Sequence, residues 1–109
     1  MELRPFQIAI TEEQLDDLKY RLRNTRWPDS EVVKDWTQGL PIAYARELSQ
    51  YWAEEYDWRS REKLLNQFPQ FKADVQGLEL HFIHVRSKHE DAMPLILSHG
   101  WPGSIVEFQ

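Results

Sequence analysis

Apolar spacing changes period once along this chain, at Phe68–Pro69, and that switch limits what it can fold into. Before it, apolar residues recur every three or four positions, as on a helix face; after it they alternate, as on a strand. The helical half opens with Thr11-Glu12-Glu13-Gln14, a capping box in which the Thr and Gln side chains satisfy orphan N–H groups reciprocally, with Ile10 and Leu15 as a hydrophobic staple. Leu15, Leu18 and Leu22 then share one face, and Asn24 with Pro28 marks the exit. "NTRWPDSE" reads as an irregular connector. A second helix is expected from Pro41, a residue suited to a first helical position, with Tyr44, Leu48, Tyr51 and Trp52 on one core-forming face. A third, Trp58 to Gln67, must end before Pro69.

In the strand half, Phe71, Ala73 and Val75 alternate with polar residues, Gln76-Gly77 makes a two-residue turn, and "LELHFIHVR" continues as a longer strand. After the loop "SKHEDAMP", Leu95-Ile96-Leu97 reads as a buried strand that runs into His99-Gly100-Trp101-Pro102-Gly103, and Ser104 with Glu107 caps a helix beyond it. A hairpin and then an apolar strand feeding a helix is the entry to an α/β sheet.

Composition narrows the function classes. In 109 residues there is room for one domain at most, and 41% hydrophobic residues with five Trp are too many for a disordered segment. A net charge of −5 with interleaved acids and bases leaves no basic stripe for a phosphate backbone, so a nucleic-acid partner is not expected. The absence of cysteine excludes disulfides, thiolate metal sites and a Cys nucleophile, and fits a cytoplasmic location. "MELRPFQIAITEEQ" has no signal-peptide or anchor run, and the chain reads as soluble.

Few residues qualify for chemistry. His81 and His84 are three apart in a strand and point to opposite faces, so they cannot share a metal and read as structural. His89-Glu90 begins like a zinc-protease motif, but Met93 stands where the second His belongs. A nucleophile elbow needs small residues four apart, whereas the glycines are at 39, 77, 100 and 103. Asp16-Asp17 and Glu54-Glu55 diverge by about 100° on their helices and read as solvated faces. That leaves the turn at 99–103. Its backbone donors, at a helix entry, suit a developing negative charge, but Gly and Pro also punctuate ordinary strand-to-helix turns, and spacing alone leaves both readings open.

"HGWPGS" after an apolar strand resembles the H-G-x-P turn of epoxide hydrolases in the α/β-hydrolase superfamily. "FQIAITEEQLDDLKYRLRNTRWPD", "YDWR", "LNQFPQF" and "GLELHFIHVRS" resemble, in order, the microsomal-type branch with a helical N-terminal extension. The resemblance implies an α/β fold: a helical extension over residues 1–69, then the start of an incomplete hydrolase core over 70–109. It implies that the Trp101 backbone N–H is an oxyanion-hole donor, that the Trp101 ring lines the substrate pocket, and that His99, Gly100, Pro102 and Gly103 support the turn, with Pro102 cis. His99 would supply a hydrogen bond rather than transfer a proton.

The implied reaction uses no cofactor or metal. An Asp nucleophile opens a small-molecule epoxide to a covalent ester, two lid tyrosines hold the epoxide oxygen, and a His–acid pair activates the water that releases the diol. All those side chains come after the H-G-x-P turn in the family. The expectation is therefore a leading portion that is inactive alone and has the rest of the core and lid as its partner. Self-association through an exposed sheet edge and peripheral membrane contact both stay open. Another α/β-hydrolase, such as a dehalogenase or esterase, or a non-catalytic helical interaction module are the competing expectations.

Overall fold

The computed structural model describes residues 2–108. In chain order the elements are β1 (Leu3–Phe6), α1 (Glu12–Arg23), α2 (Ile42–Glu54), α3 (Trp58–Leu65), β2 (Gln70–Val75), β3 (Leu78–Ile83) and a short 3-10 helix, Ile105–Phe108. They group into two compact units, Ile10–Trp58 and the remainder. Among the described residues no helix is long and apolar enough to cross a membrane.

The first unit is built on α1 and α2, which pack against each other. The capping box forms as its residues require. The Gln14 N–H donates to Thr11 Oγ1 at 3.2 Å, and the Thr11 N–H donates to Gln14 Oε1 at 3.1 Å. Thr11→Ala is expected to cost about 1 kcal/mol of stability in a urea melt, because two donors lose their acceptors or orientation together. Pro41 stands one residue earlier than expected, at the N-cap of α2, where it has no side chain to cap with. Glu31 of the connector substitutes, accepting the Ile42 N–H at 3.0 Å, and that bond holds its carboxyl below the usual carboxylate range. The expected aromatic core on α2 does not form. Tyr44, Leu48, Tyr51 and Trp52 are 46–49% exposed, and Ala53 is the buried residue of that helix. Two helices make one layer, and one layer can cover only one stripe of α2.

The second unit is a three-stranded antiparallel sheet in the order β1-β2-β3, with α3 leading into it. Gln76 and Gly77 have φ of 52° and 82°, which makes the expected tight hairpin turn, and Asp74 accepts the Gly77 N–H at 3.1 Å. The register sets Leu3 opposite Ala73 and Ala73 opposite Leu80, with Pro5, Phe71 and Phe82 on the same side. The other side carries Arg4, Phe6, Gln70, Lys72, Glu79 and His81. There Glu79 binds both Arg4 (2.8 Å) and Lys72 (2.6 Å), which keeps its carboxyl below the usual range.

Two expectations are corrected, and one strand was not foreseen. β1 had no signal in the sequence, since Pro5 in the middle of a run argues against a strand; at the edge of a sheet it is tolerated. β3 stops at Ile83 rather than reaching Arg86, because β2 begins at Gln70 and the last bond available is His84 N–H to Pro69 O, 3.0 Å. Leu95-Ile96-Leu97 forms no strand. These residues are 77, 89 and 57% exposed, and no described residue pairs with them. A buried-type strand is stable only between neighbours.

Candidate active site

Gly100 to Gly103 form a four-residue turn closed by the Gly103 N–H donating to Gly100 O at 2.7 Å. The Trp101–Pro102 peptide is cis, as the resemblance implies, which makes this a type VI turn. Gly100 uses neither a positive φ nor a close approach, since a Cβ there would meet nothing within 4 Å. Gly103 differs, because a Cβ there would meet the Glu107 carboxylate, which folds back over it. The capping box expected at Ser104 is only half made. Ser104 Oγ accepts the Val106 N–H at 3.3 Å, but Glu107 lies over Gly103 instead of returning to the Ser104 N–H. The helix expected after Ser104 is a single 3-10 turn.

The geometry gives each turn residue a physical part. His99 Nδ1 lies 3.3 Å from Gly100 O, an acceptor, so Nδ1 is the donor. Gly100 O is thus held from two sides, by His99 and by the Gly103 N–H. The Gly100–Trp101 peptide is trans, so its C=O and N–H point in opposite directions. Fixing that oxygen fixes the direction of the Trp101 N–H. This N–H donates to no described residue, and the Trp101 ring is 97% exposed. The turn therefore offers one oriented, unpaired backbone donor beside an uncommitted indole. Such a donor can receive an oxyanion, and a second donor would complete an oxyanion hole.

A cavity of about 390 Å³ lies in the α1–α2 unit, lined by Leu22, Trp27, Arg46 and Ala53, with the Arg46 guanidinium 5.6 Å from the Trp27 ring centroid. The other histidines make local contacts. His81 contacts Gln70 and Phe6, His84 contacts Phe71, and the His89 N–H turns back to Ser87.

Sequence reasoning assigned no role to Asn66 and Gln70, although both lie within "LNQFPQF". The Asn66 side chain accepts the Ile8 N–H (2.9 Å) and donates to Ile8 O (2.8 Å), tying the residue after α3 to the chain leaving β1. The only signal in the sequence was an amide side chain next to a helix end.

The family model described as Epoxide hydrolase N terminus matches residues 3–108. A putative epoxide hydrolase of Stigmatella aurantiaca (strain DW4/3-1) is 52% identical over 106 residues, covering 97% of this chain and 24% of the relative. Juvenile hormone epoxide hydrolase 2 of Ctenocephalides felis is 40% identical over 109 residues, covering 97% of this chain and 23% of that one. Among solved structures, the Aspergillus niger epoxide hydrolase superposes with a TM-score of 0.88 at 40% identity, covering 99% of this chain and 29% of that one. The chain spans about a quarter of the length of the curated relatives it matches.

Proposed function

The chain belongs to the epoxide hydrolase N-terminus family, and we propose that it serves as the N-terminal portion of an enzyme that hydrolyses small-molecule epoxides to vicinal diols. Residues 1–69 are the helical extension and 70–109 open the hydrolase core. The core and lid supplied by the remaining three-quarters are the partner of both parts. The observation that carries this reading is the end-to-end match, within which "HGWPGS" keeps its motif.

In this reading the Trp101 N–H is one oxyanion-hole donor for the step that hydrolyses the covalent ester. Negative charge appears on the ester oxygen as water adds, and a donor already pointed at that place needs no reorganisation. His99 and Gly103 are positioning residues: both act on the Trp101 N–H through the Gly100 carbonyl. Pro102 shapes the turn, and the Trp101 ring lines the substrate pocket. The free N–H and the doubly held Gly100 oxygen support these assignments.

No described residue forms a nucleophile elbow, so the 109-residue chain by itself supplies a donor but no attacking group. Purified, and checked by intact mass, it is expected to give no diol from styrene oxide above buffer. Diol formation would sink the reading, because a nucleophile would then lie within these residues.

A further inference from the structure

The polar side of the sheet contains a directional chain of hydrogen bonds that the proposed chemistry does not use. Gln70 is 3% exposed, and its Nε2 donates to Leu65 O at 2.8 Å and faces Asn66 Oδ1 at 3.4 Å. A carbonyl oxygen only accepts, so the Gln70 amide cannot be turned round, and its Oε1 must face His81 Nε2, 2.9 Å away. His81 must therefore carry a proton on Nε2. Asn66 continues the chain to both backbone groups of Ile8, and the Phe6 ring packs edge-on against His81 with centroids 4.8 Å apart. The end of β1 is thus held through Asn66, Gln70 and His81, which stand just after α3, on β2 and on β3.

When neutral, His81 leaves Nδ1 as an acceptor that pairs with no described residue. A second proton must go there, and it puts a positive charge on a half-buried ring. The charged groups around it do not welcome that charge. Lys72 on β2 lies directly opposite His81 in register and Arg4 on β1 lies opposite Lys72. Glu79 on β3 is already shared by those two cations. On α3 the carboxylate one turn before Asn66, Glu62, is bound by Arg59 at 2.7 Å.

We propose that His81 is a pH-sensitive latch: neutral, it packs against Phe6 and holds residues 3–8 on the sheet. Protonated, it keeps its Nε2–H bond to Gln70 but sets a second cation beside the Phe6 ring, over which Lys72 Nζ already lies 4.6 Å from the centroid, and so releases residues 3–8 while the β2–β3 hairpin stays paired. Burial, and then the Lys72 charge, keep the His81 pKa below its ordinary 6.5. The unfolded or released state therefore binds the proton more readily. The latch is closed above about pH 6.5 and weakens as the pH falls through the lower folded value.

The test is amide hydrogen exchange on the 109-residue chain at about pH 7.5 and about pH 5.5, read as protection factors so that the intrinsic pH trend cancels. Residues 3–8 are expected to lose protection severalfold at the lower pH, with β2–β3 unchanged. His81→Gln keeps a donor at the reach of Nε2 and cannot titrate, so its protection is expected to be the same at both pH values. If that variant fails to fold, the imidazole ¹⁵N shifts of the unaltered chain decide. The Nε2–H tautomer at neutral pH and a titration below 6.5 support the latch. An Nδ1–H tautomer, an unchanged residue 3–8 segment, or β2–β3 losing protection in step would overturn it.

Discussion

Replacing the Trp101 peptide N–H by an ester oxygen, in an epoxide hydrolase that carries residues 3–108 as its N-terminal portion, is expected to lower kcat about 100- to 1,000-fold. The side chain is kept and the donor is lost; the Gly100 carbonyl, now that of an ester, stays in place as a weaker acceptor for His99 and the Gly103 N–H. Because the donor acts when charge develops in ester hydrolysis, KM should fall together with kcat, and kcat/KM, which reports ester formation, should change far less. The covalent ester should also accumulate, visible by intact mass as enzyme plus substrate. A kcat within a few-fold of the parent would remove Trp101 from the oxyanion hole and leave the turn a merely structural one. The effect depends on the orientation of one peptide plane, whose oxygen is held at 2.7 Å by the Gly103 N–H and at 3.3 Å by His99 Nδ1.

Asn66→Ala is expected to cost the fold about 2 kcal/mol in urea unfolding, on the basis of about 1 kcal/mol for each of its two bonds to Ile8. Those bonds, 2.9 and 2.8 Å, join positions 58 residues apart in sequence, and both are partly buried. Their loss leaves an N–H and a C=O unsatisfied and also removes a neighbour of the buried Gln70 amide. By contrast, Asp17→Ala removes an exposed i,i+4 pair with Arg21 at 2.7 Å, and should leave the urea midpoint almost where it was. Equal effects from the two substitutions would show that the Asn66 clamp is not what fixes the N-terminal segment.

Local chemistry was legible in the sequence wherever neighbouring residues decide the outcome. Thr11 and Gln14 form their reciprocal cap, and Gln76-Gly77 makes its left-handed turn, because each needs only three or four residues. Elements that depend on distant partners were not legible. β1 contains Pro5 and Arg4 and alternates weakly; it is a strand because β2 offers it an edge. Leu95-Ile96-Leu97 has the composition of a central strand and no described neighbour to make it one. Tyr44, Leu48, Tyr51 and Trp52 have the spacing of a core face, but spacing cannot say whether a second layer exists to cover it.

The candidate site was legible in part. His99, Gly100, Trp101, Pro102 and Gly103 stood out as a Gly/Pro turn, but the donor proposed for the oxyanion hole is a backbone N–H, which no side-chain pattern marks. Its direction emerged only from the two bonds on Gly100 O. Asn66 and Gln70 escaped, and His81 read only as structural, because their hydrogen bonds join a helix end, the segment after β1 and two strands, and period analysis registers apolar spacing rather than amide pairs.

The most direct measurement is diol formation by a graft in which residues 3–108 replace the matching N-terminal portion of the Aspergillus niger enzyme, assayed with an epoxide that the parent turns over. Turnover within about tenfold of the parent is the predicted result, since the proposed oxyanion donor is kept and only contacts around it change. A folded graft that forms no diol while the parent does would contradict the assignment of these residues to an epoxide hydrolase.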